Sequence, residues 1–217
     1  RSLKCKLKVI YCLSTPHTFR HDLCHTYKAN RVGKYKPPLL AHFIDTFKDM
    51  YPDYITVPGY EADDIVGILH WNIPGHVLCS GDKDLLQFPG TLYNPRTDTV
   101  TEITLQEAYK FRLYQWLIGD SADGYPGCFR IGPVKAEKLL CTAIEGGESI
   151  QDTISSILDL YATQNIKAEE AGKVSNDPYT NFYMSQIRFK DEDIRDIVLF
   201  MQTFLEEGQA NGFVFEE

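Results

Sequence analysis

The chain has 217 residues, 43% of them hydrophobic, and a formal net charge of −8. This length suffices for one sizeable core with a smaller appended lobe. No apolar run approaches the roughly 20 residues that a membrane-spanning helix needs, and the early apolar run suits a strand better than a signal peptide. The composition therefore excludes a helical membrane protein, and we expect a cytoplasmic location without membrane association.

The charge is unevenly distributed along the chain. Residues 1–38 contain nine Lys or Arg and a single acid, Asp22, whereas the remainder contains 13 basic and 29 acidic residues. A basic segment beside an acidic body suits an enzyme that grips a polyanion with one part and holds metal ions with the other. The alternative is an accidental charge gradient along the chain.

Strand and helix signals alternate in the first part of the chain. Apolar and β-branched residues predict a strand over residues 7–13, after which Thr18 is placed to cap a short helix. A helical stripe of apolar residues covers residues 39–50, and residues 54–57 form a short β-rich run. The dipeptide Pro58-Gly59 then precedes the first of three acidic clusters.

Each of these acidic clusters lies at the end of an apolar segment. The first lies in the first turn of a predicted helix, the second follows a buried strand at residues 76–80, and the third follows a helix that ends at Gly119. The acids are Glu61, Asp63 and Asp64, then Asp82 and Asp84, and finally Asp120 and Asp123. Like charges held close repel unless a cation lies among them, and ligands bind at the carboxyl ends of strands in an open α/β sheet. A divalent metal is the simplest such cation.

The acidic clusters also have a structural explanation. The dipole of a helix favours acids in its first turn, which accounts for one or two members of the first cluster but poorly for three. Asp82 and Asp84 alone are compatible with an ordinary turn. The recurrence of the pattern is what favours a metal site.

A hairpin, a helix and a Gly-punctuated loop follow the second cluster. Strands are predicted at residues 91–93 and 99–104, and a helix runs from residue 108 to residue 118. The loop leads into a helix over about residues 134–143, where backbone amides and Lys135 can receive a backbone phosphate. Later helical stripes centre on Ile154 and Ile194.

Lys28 and Arg31 are three positions apart in the basic segment. On a helical piece they would share one face, which allows both to meet a single phosphate. The alternative is a solvated cationic face, which the spacing alone does not exclude.

Six motifs occur in the order found in one known family. They are Phe19-Arg20, Tyr27-Lys28-Ala29-Asn30-Arg31, Glu61-Ala62-Asp63-Asp64, Gly81-Asp82-Lys83-Asp84-Leu85-Leu86, Gly119-Asp120-Ser121-Ala122-Asp123 and Ile131-Gly132-Pro133-Val134-Lys135-Ala136. Over about residues 12–140 the chain resembles the 5' nuclease family. This family includes bacteriophage 5'-3' exonucleases and flap endonucleases and the nuclease domain of bacterial DNA polymerase I.

The resemblance implies an α/β fold with a PIN-like core and a helical arch, followed by a helix-hairpin-helix region. The core would occupy residues 1–119, with the arch at about residues 18–38, and the helix-hairpin-helix and C-terminal helices would occupy residues 120–217.

The implied function is metal-dependent, structure-selective 5'-3' exonuclease or flap endonuclease activity in DNA replication. Two Mg²⁺ or Mn²⁺ ions would drive hydrolysis of the phosphodiester, with K⁺ as a further candidate ion at the helix-hairpin-helix. The implied partners are DNA duplex ends, nicks and flaps, with RNA-DNA hybrids as a further candidate. The protein would act as a monomer, in the host cytoplasm if a phage encodes it.

The resemblance also assigns roles to individual residues. The metal-site acids would be the seven acids of the three clusters, Glu61, Asp63, Asp64, Asp82, Asp84, Asp120 and Asp123. The catalytic cations would be Arg20, Lys28 and Arg31. DNA would be contacted by Tyr27, Lys34, Lys36, Gly127, Gly132 and Lys135.

The chain departs from the family pattern at three places. The first strand, which carries an aspartate, is absent, so we expect a fragment or a shortened member. Ser14-Thr15-Pro16 replaces a second aspartate, and Arg130 stands where the hairpin usually has glycine. If that turn needs a positive φ, arginine costs on the order of 1 kcal/mol.

Two alternatives follow from the sequence. One is a DNA-binding relative with impaired catalysis, motivated by the missing aspartates. The other is an RNA endonuclease of the wider PIN class, which would prefer single-stranded RNA.

Overall fold

Strands and helices alternate along the chain in the computed structural model, which describes residues 8–73 and 75–186. The strands are β1 (Tyr11–Leu13), β2 (Tyr54–Thr56), β3 (Leu78–Cys79), β4 (Gly90–Asn94) and β5 (Thr99–Ile103). The helices are α1 (Phe19–Leu23), α2 (Leu40–Met50), α3 (Ala62–Asn72), α4 (Leu105–Ile118), α5 (Pro133–Glu145), α6 (Ile150–Glu170) and α7 (Pro178–Ser185). Short 3₁₀ helices cover Ala29–Arg31 and Lys83–Gln87.

The strands form two small sheets. In the first, β1 and β2 pair in parallel, with Tyr11 opposite Tyr54. In the second, β3 pairs in parallel with β4, and β4 pairs antiparallel with β5, so that Gly90 lies opposite Ile103. Parallel pairs with intervening helices make this a mixed α/β fold, as the sequence predicts.

Separate apolar clusters hold the helices in place. Ile65 and Leu69 of α3 pack against Ile55 of β2. The helices α4, α5 and α6 share a core that includes Trp116 and Tyr161, and the Tyr161 hydroxyl donates to the Trp116 carbonyl at 2.6 Å. Burying aromatic side chains of this size contributes a large share of the stability of such a core.

The predicted elements agree with this architecture apart from their ends and one case of burial: the buried strand predicted at residues 76–80 is the two-residue β3, in which Leu78 is buried and Cys79 is exposed. The helix predicted at residues 39–50 is α2, and the hairpin predicted at residues 91–104 is formed by β4 and β5. Of the strand predicted at residues 7–13, residues 11–13 form β1, and residue 7 lies outside the described residues. The stripe centred on Ile194 also lies outside them.

The region predicted as a helical arch contains little helix, and the region predicted as a hairpin joins two helices. Within residues 18–38, helix is confined to α1 and the single 3₁₀ turn at Ala29–Arg31. Residues 119–132 join α4 to α5, which pack against each other. The helix-hairpin-helix identity of this unit stays a prediction.

Among the described residues, no helix is both long and apolar enough to cross a membrane.

Candidate metal centre

The N-terminus of α3 carries the first acidic cluster. Glu61 is the N-cap residue, and its amide donates to the Asp64 carboxylate at 3.2 Å. Asp63 and Asp64 lie in the first turn, where the helix dipole favours negative charge. One carboxylate oxygen from each of the three acids lies within 4.8 Å of the others. The start of α3 therefore brings three carboxylate oxygens close enough together to coordinate one metal ion.

Arg20 of α1 is the buried cation of this cluster. Its Nη1 and Nη2 donate to the two carboxylate oxygens of Asp64 at 2.6 and 2.8 Å, and Nη1 also lies 3.3 Å from Glu61 Oε2. A further hydrogen bond of 3.0 Å joins Nη2 to the Gln186 carbonyl. Burial lowers the pKa of Arg20, but the hydrogen bond and charge of Asp64 outweigh it and raise the pKa overall. Arg20 thus ties α1, α3 and the segment after α7 together.

Glu61 receives two further donors from the segment before the 3₁₀ turn. The Tyr27 hydroxyl donates to Oε2 at 2.5 Å, and the Lys28 ammonium contacts Oε1. Burial raises the pKa of Glu61, but the hydrogen bonds from Lys28 and Tyr27 outweigh it, so the net pKa is lower than usual. Glu61 is therefore held ionised by neighbouring side chains.

Asp63 behaves differently from its neighbours. Burial, followed by the charge of Asp64, raises the pKa of Asp63 to about 7, although Arg20 acts in the opposite direction. One oxygen of Asp63 accepts a hydrogen bond from the Asp64 amide at 3.0 Å. Burial and the neighbouring acids therefore disfavour the ionised form of Asp63, and a cation bound beside this carboxylate would favour it.

The second cluster follows β3 and reaches the third. Asp82 accepts a hydrogen bond from the Asp84 amide at 3.0 Å and thereby caps the 3₁₀ helix, while Asp84 accepts one from Gln115 at 2.5 Å. Lys83 extends to Asp120 at 3.2 Å. Burial and then the charge of Asp82 raise the pKa of Asp84. The loop after β3 is thus linked to the loop after α4.

Asp120 and Asp123 lie in that second loop. Burial raises the pKa of Asp120, but the hydrogen bonds from the Ala122 amide and from Lys83 lower it by more. The net pKa of Asp120 is therefore below its usual value. Burial raises the pKa of Asp123 despite the opposing charges of Lys28 and Arg31. The Arg31 guanidinium lies 2.7 Å from Asp123 Oδ1. Cations from residues 28–31 therefore contact acids of both the first and the third cluster.

Three residues assigned to catalysis or DNA contact are buried. The exposed fractions of Arg20 and Tyr27 are each 3%, so the guanidinium and the ring are packed inside the protein. Gly127 is also buried, and its amide donates to the Asn181 side chain at 3.1 Å. All three residues are therefore covered by the protein in this structure, and the assignment of Arg20 to catalysis and of Tyr27 and Gly127 to DNA contact stays a prediction.

The other residues assigned to DNA contact are on the surface. Lys34, Lys36, Gly132 and Lys135 are exposed, and Gly132 caps α5. Arg130 adopts the left-handed conformation with φ 59°, as expected for a position that usually holds glycine. The loop before α5 therefore keeps its turn despite the side chain.

The sequence reasoning missed two members of the site. Lys83 pairs with Asp120, and its position between two acids was a usable signal because a cation there has acids on both sides. Gln115 holds Asp84 from inside α4 and carries no comparable signal in the sequence.

The donors available in the first cluster suit a hard divalent cation. Mg²⁺ and Mn²⁺ prefer carboxylate oxygens, and Glu61, Asp63 and Asp64 offer one each at close range. The Lys28 ammonium on Glu61 indicates that this position favours positive charge. The residues present therefore fit such an ion.

The amino-acid sequence is similar to those of known nucleases and DNA polymerases. The family model described as the 5'-3' exonuclease N-terminal resolvase-like domain matches residues 3–110. The 5'-3' exonuclease of Buchnera aphidicola is 29% identical over 175 residues, covering 72% of this chain and 60% of that protein. The thermostable DNA polymerase I of Thermus thermophilus is 32% identical over 146 residues, covering 61% of this chain and 17% of that protein. The chain thus spans less than two thirds of the length of these relatives.

The fold is similar to those of solved phage T5 nucleases. The 5'-exonuclease of phage T5, solved with divalent zinc ions, matches with a TM-score of 0.61 at 20% identity, covering 91% of this chain and 82% of that one. A T5 flap endonuclease in a pseudo-enzyme-product complex with DNA and metal ions matches with a TM-score of 0.56 at 17% identity, again covering 91% and 82%. At these identities the likeness extends to the fold alone.

Proposed function

Because the chain belongs to the 5'-3' exonuclease (5' nuclease) family, related to the T5 exonuclease and the nuclease domain of DNA polymerase I, we propose that it hydrolyses phosphodiester bonds of DNA. The observation that carries this proposal is the three-carboxylate cluster at the start of α3. Its substrates would be duplex ends, nicks and flaps, with RNA-DNA hybrids as further candidates.

The acids would hold two Mg²⁺ or Mn²⁺ ions. Glu61, Asp63 and Asp64 would hold one ion, and the loops carrying the second and third clusters would contribute to the other. When bound, such ions would activate a water and stabilise the departing oxygen. Carboxylates from three separate elements suit this task because each element fixes one side of the site.

The buried and the exposed cations of the site would have different roles. Arg20 would keep Asp64 and Glu61 in place from inside the protein. Lys28 and Arg31, which are more exposed, would steady the scissile phosphate. A fixed buried cation and two accessible ones give the site both a stable frame and a phosphate contact.

Duplex binding would use two exposed stretches, the segment before α2 and the start of α5. Lys34, Lys36 and Lys135 would contact backbone phosphates, which gives affinity without sequence readout. The amides at Gly132 would add a phosphate contact at the α5 N-terminus, with K⁺ as a candidate ion in this helix-hairpin-helix. We propose that the protein does this as a monomer.

The test is cleavage of a 5'-labelled flap duplex with Mg²⁺, Mn²⁺ or EDTA. Asp63→Asn and Asp120→Asn should lose metal-dependent cleavage while keeping the circular dichroism spectrum. Asp45→Asn, which changes an exposed acid on α2, is the matched control and should cleave normally. Full cleavage by both site variants would refute the proposal.

A second candidate is a DNA-binding relative that lacks turnover. One observation favours it: Ser14, at the end of β1 where the family has an aspartate, accepts a hydrogen bond from the Ala62 amide at 2.9 Å. A hydroxyl committed to α3 is a weaker metal ligand than a carboxylate. Salt-sensitive flap binding with no product in either metal would establish this candidate instead.

A further inference from the structure

Lys28 and Arg31 lie at opposite ends of a single short turn. The turn Ala29–Arg31 starts directly after Lys28, whose backbone is left-handed with φ 51°. From this turn the Lys28 ammonium contacts Glu61 of the first cluster, and the Arg31 guanidinium contacts Asp123 of the third at 2.7 Å. One turn therefore places cations on acids from two separate elements.

The backbone of the turn has its own attachments. The Lys28 amide donates to the Asp123 carbonyl at 3.0 Å, and the Asn30 side chain donates to the carbonyls of Ser121 and Ala122 at 3.1 and 3.3 Å. These bonds do not involve either charged side chain. The ammonium and the guanidinium can therefore leave their acids while the turn stays on the loop.

Solvent access separates these two cations from the third. The side chain of Lys28 is 21% exposed and that of Arg31 is 52% exposed, against 3% for Arg20. Arg20 is also tied to the Gln186 carbonyl, so its departure would strand buried charge. Lys28 and Arg31 are the members of the set that can exchange partners at low cost.

Two cations compete when they need the same carboxylate oxygen. A divalent ion on Glu61 repels the Lys28 ammonium, and one on Asp123 repels the Arg31 guanidinium. Each released side chain then has no bound carboxylate and remains on a fixed turn beside the site. A phosphate of the substrate is an anion to which such a side chain can form charge-assisted hydrogen bonds.

We infer that Lys28 and Arg31 form a metal-released phosphate clamp, defined as the two side chains of this turn. Without metal the clamp occupies Glu61 and Asp123 and contributes little to DNA binding. Metal binding transfers both side chains from these acids to DNA phosphates, which couples metal occupancy to substrate grip. This inference rests on the proposed function and specifies how that site is regulated.

The first experiment measures DNA binding with Ca²⁺ as the metal probe. Fluorescence anisotropy of a labelled flap duplex gives the binding constant across a KCl series, in Ca²⁺ and in EDTA, with a gel confirming intact DNA. The double variant Lys28→Gln/Arg31→Gln should lower the salt slope in Ca²⁺ by about 1.8, the value for two phosphate contacts, and by much less in EDTA.

The matched control removes the same charge from the same segment. Lys34→Gln/Lys36→Gln changes two exposed lysines, so any loss of salt slope should be equal in Ca²⁺ and EDTA. An equal loss for the Lys28 and Arg31 variant in both conditions would overturn the clamp.

The second experiment measures metal binding without DNA. Calorimetric titration with Mn²⁺ should give tighter binding to Lys28→Gln/Arg31→Gln than to the unchanged protein, because the competing cations are gone, and no change for the control. Unchanged or weaker Mn²⁺ binding by the double variant would contradict the inference. A protein that neither binds Mn²⁺ nor cleaves DNA would instead remove the proposed function, so the two failures are distinct.

Discussion

The guanidinium of Arg20 and the carboxylate of Asp64 form two parallel hydrogen bonds of 2.6 and 2.8 Å. Their side chains are 3% and 0% exposed, so the pair is removed from water. Burying two charges is costly, and the cost is recovered only while both partners are present. This pair therefore makes the frame of the acidic cluster sensitive to loss of either charge.

Asp64→Asn should lower the free energy of unfolding by about 3 kcal/mol or more, because it removes the paired carboxylate and leaves the buried Arg20 charge with only the longer 3.3 Å contact to Glu61. Urea denaturation at pH 8 without metal measures this change. The control is Asp63→Asn in the same turn, where burial and neighbouring acids raise the pKa of the carboxyl to about 7. Removing that charge should leave stability equal or higher, and similar losses in both variants would argue against the buried pair as the main support.

The start of α3 is predictable from sequence, whereas the partner of Asp64 is not. Acids at a first turn before a periodic apolar run indicate a helix start by local rules that involve neighbouring residues only. Arg20 is 44 positions away from Asp64, and a short helix gives the same local signal whether its arginine is buried or exposed. Long-range pairing depends on how α1 packs, which no local pattern encodes.

The same limit applies to Tyr27 and Gly127. An aromatic residue beside two cations and a glycine in a Gly-punctuated loop are both typical of DNA-contacting surfaces. In the structure the Tyr27 ring packs with Tyr125 and Met184, and Gly127 lies against the end of α4. The motifs predict which segments meet, but burial decides which side chains remain available.

Gly127→Ala should be strongly destabilising, by about 3 kcal/mol or more. Gly127 has φ 68°, and an added Cβ would lie 2.5 Å from the Ile118 carbonyl carbon and 2.6 Å from the Leu117 oxygen, both backbone atoms. Gly147→Ala is the control, since φ is 75° but no atom lies within 4 Å of the added Cβ. The control should cost only about 1 kcal/mol in thermal or urea unfolding. If both variants lose the same free energy of unfolding, the positive φ and not the contact with the backbone of residues 117–119 is the cause of the loss.

Arg130→Gly should stabilise the loop before α5 relative to Arg130→Ala. Both variants remove the charge, but only glycine adopts φ 59° without strain, so their difference isolates the backbone contribution. We expect glycine to exceed alanine by about 1 kcal/mol in urea unfolding. If the alanine variant is as stable as the glycine variant, the left-handed turn at this position costs nothing.

His70 should make stability depend on pH in the acidic range. Its Nε2 lies 2.6 Å from the Pro89 carbonyl and must donate, which leaves Nδ1 to accept from His76 Nε2 at 2.7 Å. The ring also packs on Phe88, with the ring centroids 5.5 Å apart. Burial, followed by the charge of His76, lowers the pKa of His70, although the bond to Pro89 opposes this shift.

The sign of the pH effect follows from that lowered pKa. Below the unfolded value of about 6.5 the unfolded chain binds a proton at His70 that the folded protein does not, so the contribution of His70 to stability falls as the pH drops from about 7 to 5. Asp63, whose pKa is raised to about 7, contributes in the opposite sense over this range. Urea unfolding at pH 7 and pH 5 should therefore show a less unfavourable change in stability on acidification for His70→Gln than for the unchanged protein, in which Asp63 is the same. His42→Gln, an exposed change on α2, is the control and should keep the original slope. If the change in stability with acid is the same for His70→Gln and the control, the His70–His76 imidazole pair does not contribute to the acid sensitivity.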